Sequence, residues 1–262
     1  MAVYKKRNNR PNRKKKIDEL DELEEEQLHQ ESTTAEVFDS LDAGASKTEA
    51  WVQKNQKTIL GVLVAVAVVG LGVLLYQQFV SAPKEKEGAN EFFFANEFFN
   101  EALNATDDRA KDSLFTLSLE GGKGKYGFLE IIQEYSGTKA ANLSQYGAGM
   151  AYMHKGEYQK AIDHLKKFDS PDDVMGVLAL GNIGDAYSQL KNNQEALNFY
   201  KKAYTHSDNE FTKPMYLKKA GITAMLLNDN KEAGKLFEQI KDEYPTSEEA
   251  RTIDILIGKI SN

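Results

Sequence analysis

Between Glu120 and Gly127 the chain reads Glu-Gly-Gly-Lys-Gly-Lys-Tyr-Gly, a mixture of glycine and lysine that could in principle cradle a phosphate. A phosphate loop needs G-x-x-x-x-G-K-[ST] between a strand and a helix, so that backbone N–H groups and a hydroxyl converge on the anion. Here Tyr126 stands where the hydroxyl residue is required and no strand precedes it, so the stretch reads as a flexible connection between helices. Gly147-Ala148-Gly149 lacks the third glycine and the strand of a dinucleotide fingerprint, and reads as helix packing. His29, His154, His164 and His206 show no metal spacing such as H-E-x-x-H, and there is no G-x-S-x-G elbow. The chain has no cysteine, which removes disulfides, thiolate metal sites, a cysteine nucleophile and a lipoprotein acyl anchor. No pair of carboxylates stands out among the 40 acids. The expectation is a protein without catalytic residues, bound metal or cofactor.

Charge is distributed in blocks. Lys5, Lys6, Arg7, Arg10, Arg13, Lys14, Lys15 and Lys16 crowd the first 16 residues with no acid among them. Residues 17–57 hold twelve acids against Lys47, Lys54 and Lys57, and residues 58–83 carry no charge. The net charge of −7 over 262 residues therefore says little by itself about partners. Residues 1–46 are expected to form a charged, mostly disordered cytoplasmic arm, since the basic block has no apolar periodicity. Ile17–His29, with Ile17, Leu20, Leu23 and Leu28 set among acids, suggests a short amphipathic helix, and Val37, Phe38 and Leu41 a second small patch. Two readings of the basic block stay open: a topology signal, or a contact with anionic lipid or ribosomal RNA driven by counterion release.

After a juxtamembrane segment at 47–57, residues 58–80 read TILGVLVAVAVVGLGVLLYQQFV. As a helix this run is about 35 Å long, enough for a hydrocarbon core of roughly 30 Å. It is apolar on all sides, unlike the one-sided stripe of a surface helix. Trp51 precedes it, and Tyr76 and Phe79 mark its far end, where amphipathic aromatics favour the membrane interface. The run is longer than a secretory signal core and follows a long polar stretch, so it reads as a retained anchor. The flanks, Lys47, Lys54 and Lys57 before and Lys84 and Lys86 after, are nearly balanced. The upstream basic block tips the balance toward a cytoplasmic N-terminus and an exported 81–262 region.

Within that region three stretches repeat. Gly149, Gly184 and Gly221 are each followed by Ala161, Ala196 and Ala233, and four residues later by Leu165, Tyr200 and Phe237. The small residues let paired helices approach closely, the large ones fill the wedge between them, and Gly156 or the Asn/Asp runs make the turn. One such pair cannot bury its own apolar face, so neighbours must stack. Phe128–Tyr135 mirrors Phe237–Tyr244 as a degenerate opening helix, with Phe92–Leu103 before it, and Ser247–Ile260 reads as a closing cap.

These residues resemble the tetratricopeptide repeat, with its 34-residue period and L-G-x-x-Y…A-x-x-x-F…A…P pattern. The resemblance covers about 140–247, with Gln145, Leu180 and Leu217 at the tryptophan-type position. It implies an all-α fold, in which a single transmembrane helix is followed by a helical solenoid. It also implies that the first helix of each pair lines a concave groove for a protein partner. The positions carried over are Tyr146, Met150, Met153 and His154, then Asp185 and Gln189, then Met215, Lys218 and Met225. Methionine adapts to irregular apolar partners; for Met150 and Met225, ordinary packing between helices is an equal alternative. Gly181 and Asp185 do not suit the family's carboxylate clamp, which speaks against an acidic C-terminal peptide in this groove.

The whole layout is similar to YfgM-type ancillary subunits of the bacterial Sec translocon, over about 47–262. That resemblance implies a single-pass inner-membrane scaffold whose periplasmic repeats bind a PpiD-type membrane chaperone or emerging substrate chains beside the channel. The alternative is an envelope assembly or secretion scaffold not bound to the translocon.

Overall fold

The computed structural model describes residues 13–170 and 172–260, and it is helical almost throughout. Residues 1–74 and 75–262 separate into two units. The first is built on one helix, α1 (Arg13–Tyr76). Residues 13–46 belong to this helix. The reason lies in composition. After Pro11 no proline occurs before Pro83, and the intervening Leu, Glu, Gln, Lys and Ala residues are good helix formers. Lys5, Lys6, Arg7 and Arg10 lie outside the described residues, and Arg13, Lys14, Lys15 and Lys16 form the first turn of α1.

One helical run, Gly44–Asn104, is long and apolar enough to cross a membrane, and none of its apolar window is buried. Leu60, Val62, Leu63 and Val69 are all more than half exposed. A short π-helix, Gln77–Ser81, ends the apolar stretch. There the Ala82 N–H donates to the Gln77 carbonyl, five residues back. This longer register precedes Pro83, whose ring would otherwise meet a helical carbonyl and which brings no N–H of its own.

The second unit stacks helix pairs. It opens with α2 (Ala82–Asn104), α3 (Asp108–Glu120) and α4 (Phe128–Glu134). Three pairs follow: α5 (Lys139–His154) with α6 (Tyr158–Leu165), α7 (Asp173–Gln189) with α8 (Asn193–His206), and α9 (Thr212–Leu226) with α10 (Asn230–Glu243). A 3-10 turn at Glu249–Thr252 leads into the closing helix α11 (Ile253–Ile260), whose Ile253 is buried against the last pair.

Each pair is held by the same contact. A Cβ built on Gly149 would lie 2.6 Å from Leu165, on Gly184 2.6 Å from the Tyr200 ring, and on Gly221 2.3 Å from the Phe237 ring. Ala161, Ala196 and Ala233 are fully buried one turn before those large residues. The turn inside each pair also repeats. Gly156, Lys191 and Asn228 adopt positive φ, and the next N–H donates back to the carbonyls of Tyr152, Tyr187 and Ala224 at 2.9 Å. Asn192 and Asp229 then cap α8 and α10 by accepting from the N–H groups of Glu195 and Glu232.

The opening differs from the expected half repeat, because α3 is an additional helix. It is capped by Asp107 and buries Phe115 and Leu119 against α2, with Phe99 and Phe115 edge to face at 5.5 Å. The 120–127 stretch is not the flexible connection that its glycines suggest. Gly122 and Lys125 exchange two backbone hydrogen bonds of 3.0 Å around Lys123 and Gly124, both at positive φ, which is the geometry of a tight I′-type turn. The turn is tied to α2: the Tyr126 N–H donates to Glu91 at 3.0 Å, and the Lys125 ammonium lies 4.2 Å from the Phe94 ring.

Candidate functional site

The first helices of the three pairs expose side chains from repeat-equivalent positions. Counted from the packing glycines, Met150, Asp185 and Ile222 share one position, and His154, Gln189 and Leu226 share another. Five of the expected groove residues come together here. Met150, Met153, His154, Asp185 and Gln189 line one cleft of about 350 Å³, with Tyr158, Ser188 and Tyr200 completing it.

Asp185 is the organising group. Its carboxylate accepts from the Tyr200 hydroxyl at 2.7 Å and from the Lys219 ammonium at 2.7 and 2.8 Å, joining α7, α8 and α9. Burial, then the charge of Asp185, raises the Tyr200 phenol far above its ordinary value, so it stays protonated and donates. Tyr216 is raised for the same two reasons. The carboxylate is therefore already neutralised and hydrogen-bonded, and it presents no free negative charge to a ligand. What remains open is amphipathic: the thioethers of Met150 and Met153 together with the exposed Gln189 carboxamide.

His154 adds an aromatic wall. Its ring is stacked on Phe115 at 4.8 Å and 6°. Withdrawal of the ring from water, assisted by Lys111, lowers its basicity, so it is neutral near pH 7. His164, by contrast, lies off the cleft, bonded to Gln145 at 2.8 Å and stacked on Tyr152. Among the described residues no group of His, Asp and Glu is placed to hold a metal ion.

Four expected residues lie elsewhere. Tyr146 is half-buried, packs on Phe168 at 5.2 Å and accepts from Asn182. Met215 and Met225 pack against the core of the last two pairs, and Lys218 donates to Thr252 at 2.9 Å. The reason is helical phase: in α9 the open face carries Ile222, 39% exposed, and Leu226, 61% exposed, which follow Gly221 at the intervals by which Met150 and His154 follow Gly149. Lys219 was missed for the same reason. It follows Lys218, yet it is the one that reaches Asp185.

With the geometry in place, comparison with known families is informative. Tetratricopeptide-repeat models match residues 143–170, 177–205 and 218–247, the three helix pairs. The three pairs are similar to tetratricopeptide repeats. A search of curated proteins gives no match. Such repeats are generally protein-binding scaffolds, and the amphipathic cleft between the first two pairs suits a protein partner.

Proposed function

We propose that this protein is a non-catalytic scaffold anchored in the bacterial inner membrane beside the Sec translocon. The N-terminal arm is cytoplasmic, the apolar stretch of α1 spans the bilayer, and the repeats stand in the periplasm. There they hold a PpiD-type membrane chaperone or an emerging substrate chain. One observation carries this reading above the others: a helical run whose charge-free stretch has no buried residue in its apolar window is followed along the chain by a repeat unit with an open amphipathic cleft. Exposed Leu and Val along that helix are costly in water and favourable in lipid. In the cleft, Met150 and Met153 supply adaptable apolar contact, and Gln189 supplies donors and an acceptor for a peptide main chain. The basic residues from Lys5 to Lys16 would sit at the cytoplasmic face, close to anionic headgroups or ribosomal RNA.

Gentle detergent extraction followed by pull-down of the full chain tests this. Recovery of the translocon channel, weakened by Met150→Lys in the cleft, is the expected result. Recovery of only cell-wall or outer-membrane assembly machinery would replace it with the unattached envelope scaffold. Retention of ribosomes or anionic vesicles across a salt series, against a variant with the eight basic residues changed to Gln, tests the arm. Phosphate contacts predict binding that falls about ten-fold or more between roughly 50 and 200 mM salt.

A further inference from the structure

Besides the cleft between the first helices, a larger one of about 710 Å³ lies among α7, α8 and the C-terminal end of α6. It exists because α6 is short. The helix spans eight residues, against fourteen in both α8 and α10. After Leu165 the chain leaves the helix: Phe168 turns in against Tyr146, and Asn142 clamps Asp169 with hydrogen bonds of 2.6 and 2.9 Å. The missing turns of helix leave Leu165, Phe168, Ala179, Leu180, Ile183 and Phe199 as an apolar floor.

An ion pair that the repeat would place here is open. Lys201 and Glu232 join α8 to α10 at 2.5 Å. Counted from the buried alanines, the equivalent residues between α6 and α8 are Lys166 and Glu195. Both line the cleft, yet Lys166 donates instead to the Tyr187 hydroxyl at 2.9 Å. Its ammonium lies 5.4 Å from the Phe199 ring, and that of Lys202 lies 4.6 Å from the same ring. Among the described residues neither lysine has a carboxylate partner. With His206 also on the rim, the mouth of an apolar cleft carries more basic groups than its single acid, Glu195.

We propose that this cleft binds a peptide segment carrying an apolar side chain flanked by carboxylates. The apolar group occupies the floor over Phe199, and the carboxylates pair with Lys166 and Lys202. The volume falls within the range of sites that enclose a ligand group, and two exposed ammonium groups at its rim, each beside the Phe199 ring and neither paired with a carboxylate, favour an anionic neighbour. The site does not depend on the translocon reading, because it rests on the helix pairs alone. It also differs from the cleft around Asp185, whose charge is already paired.

Fluorescence anisotropy on the detergent-solubilised full chain tests this. The probes are a short labelled peptide of leucine and phenylalanine flanked by glutamates, and its lysine-flanked counterpart. The glutamate peptide is expected to bind, and the lysine peptide to bind at least about ten-fold more weakly, the scale of lost charge-assisted contacts. Lys166→Gln with Lys202→Gln should weaken the glutamate peptide by a similar factor, while Glu195→Lys, which removes the lone acid, should strengthen it. Circular dichroism melting establishes that each variant is folded. Equal binding of the two peptides overturns the proposal, as does no binding of either, or a Glu195→Lys variant that binds the glutamate peptide no better.

Discussion

A methyl group added at residue 184 would arrive 2.6 Å from the Tyr200 ring, in a contact that joins α7 to α8. Tyr200 cannot retreat freely, because its hydroxyl donates to Asp185. Gly184→Ala is therefore expected to destabilise the repeat unit by about 1–3 kcal/mol, as overpacking does in a filled core. An unchanged chemical-denaturation midpoint would show that the ring has room to move. The histidines of the first pair make a second prediction at this scale. Burial, helped by Lys111 beside His154 and Lys167 beside His164, holds both below the ordinary value of 6.5. The unfolded chain then takes up protons at a pH where the folded one does not. Stability is complete above about pH 6.5 and is lost as pH falls through the lowered folded values. The melting temperature should decline from about pH 7 to pH 5, and more shallowly in His154→Phe with His164→Gln. Parallel curves for the two proteins would remove the histidines from the account.

The turns inside the helix pairs bring a cost that side-chain contacts do not reveal. Gly156, Lys191 and Asn228 occupy the same repeat position at φ values of 74°, 58° and 60°. Only glycine accepts that conformation without steric penalty, and a side chain there costs on the order of 1 kcal/mol. Lys191→Gly should accordingly raise stability by up to about 0.5 kcal/mol, after the added freedom of the unfolded chain is offset. Gly156→Ala should lower it by about 1 kcal/mol. Thermal melts of both variants check the pair, and a destabilised Lys191→Gly would contradict the strain argument. The repeat pattern, from Gly149 to Phe237, made the three pairs legible in advance, because close helix approach demands small residues at fixed intervals. It did not reveal α3. Asp107 and the Leu114, Phe115 and Leu119 stripe were available as signals, but they belong to no repeat.

At the scale of the molecule, the exposed apolar stretch and the repeat unit make a prediction about topology. On the proposed topology, protease added to the outside of spheroplasts should digest the repeats and spare the arm; protected repeats would overturn that orientation. The long apolar helical stretch, the helix pairs and their cores follow from local rules of length, period and residue size, so the sequence alone determined them. The clefts do not follow from local rules. Whether Lys218 or Lys219 reaches Asp185, and whether Met225 or Leu226 faces outward, depends on the rotation of α9 about its axis, which packing against α8 and α10 decides. The open gap at Phe199 likewise comes from two chain segments far apart in sequence, where Asn142 and Asp169 draw the chain away from the axis of α6. A one-residue shift turns a helix by about 100°. The intervals between repeats are therefore readable in the residues, while the face each helix presents was decided only in the tertiary structure.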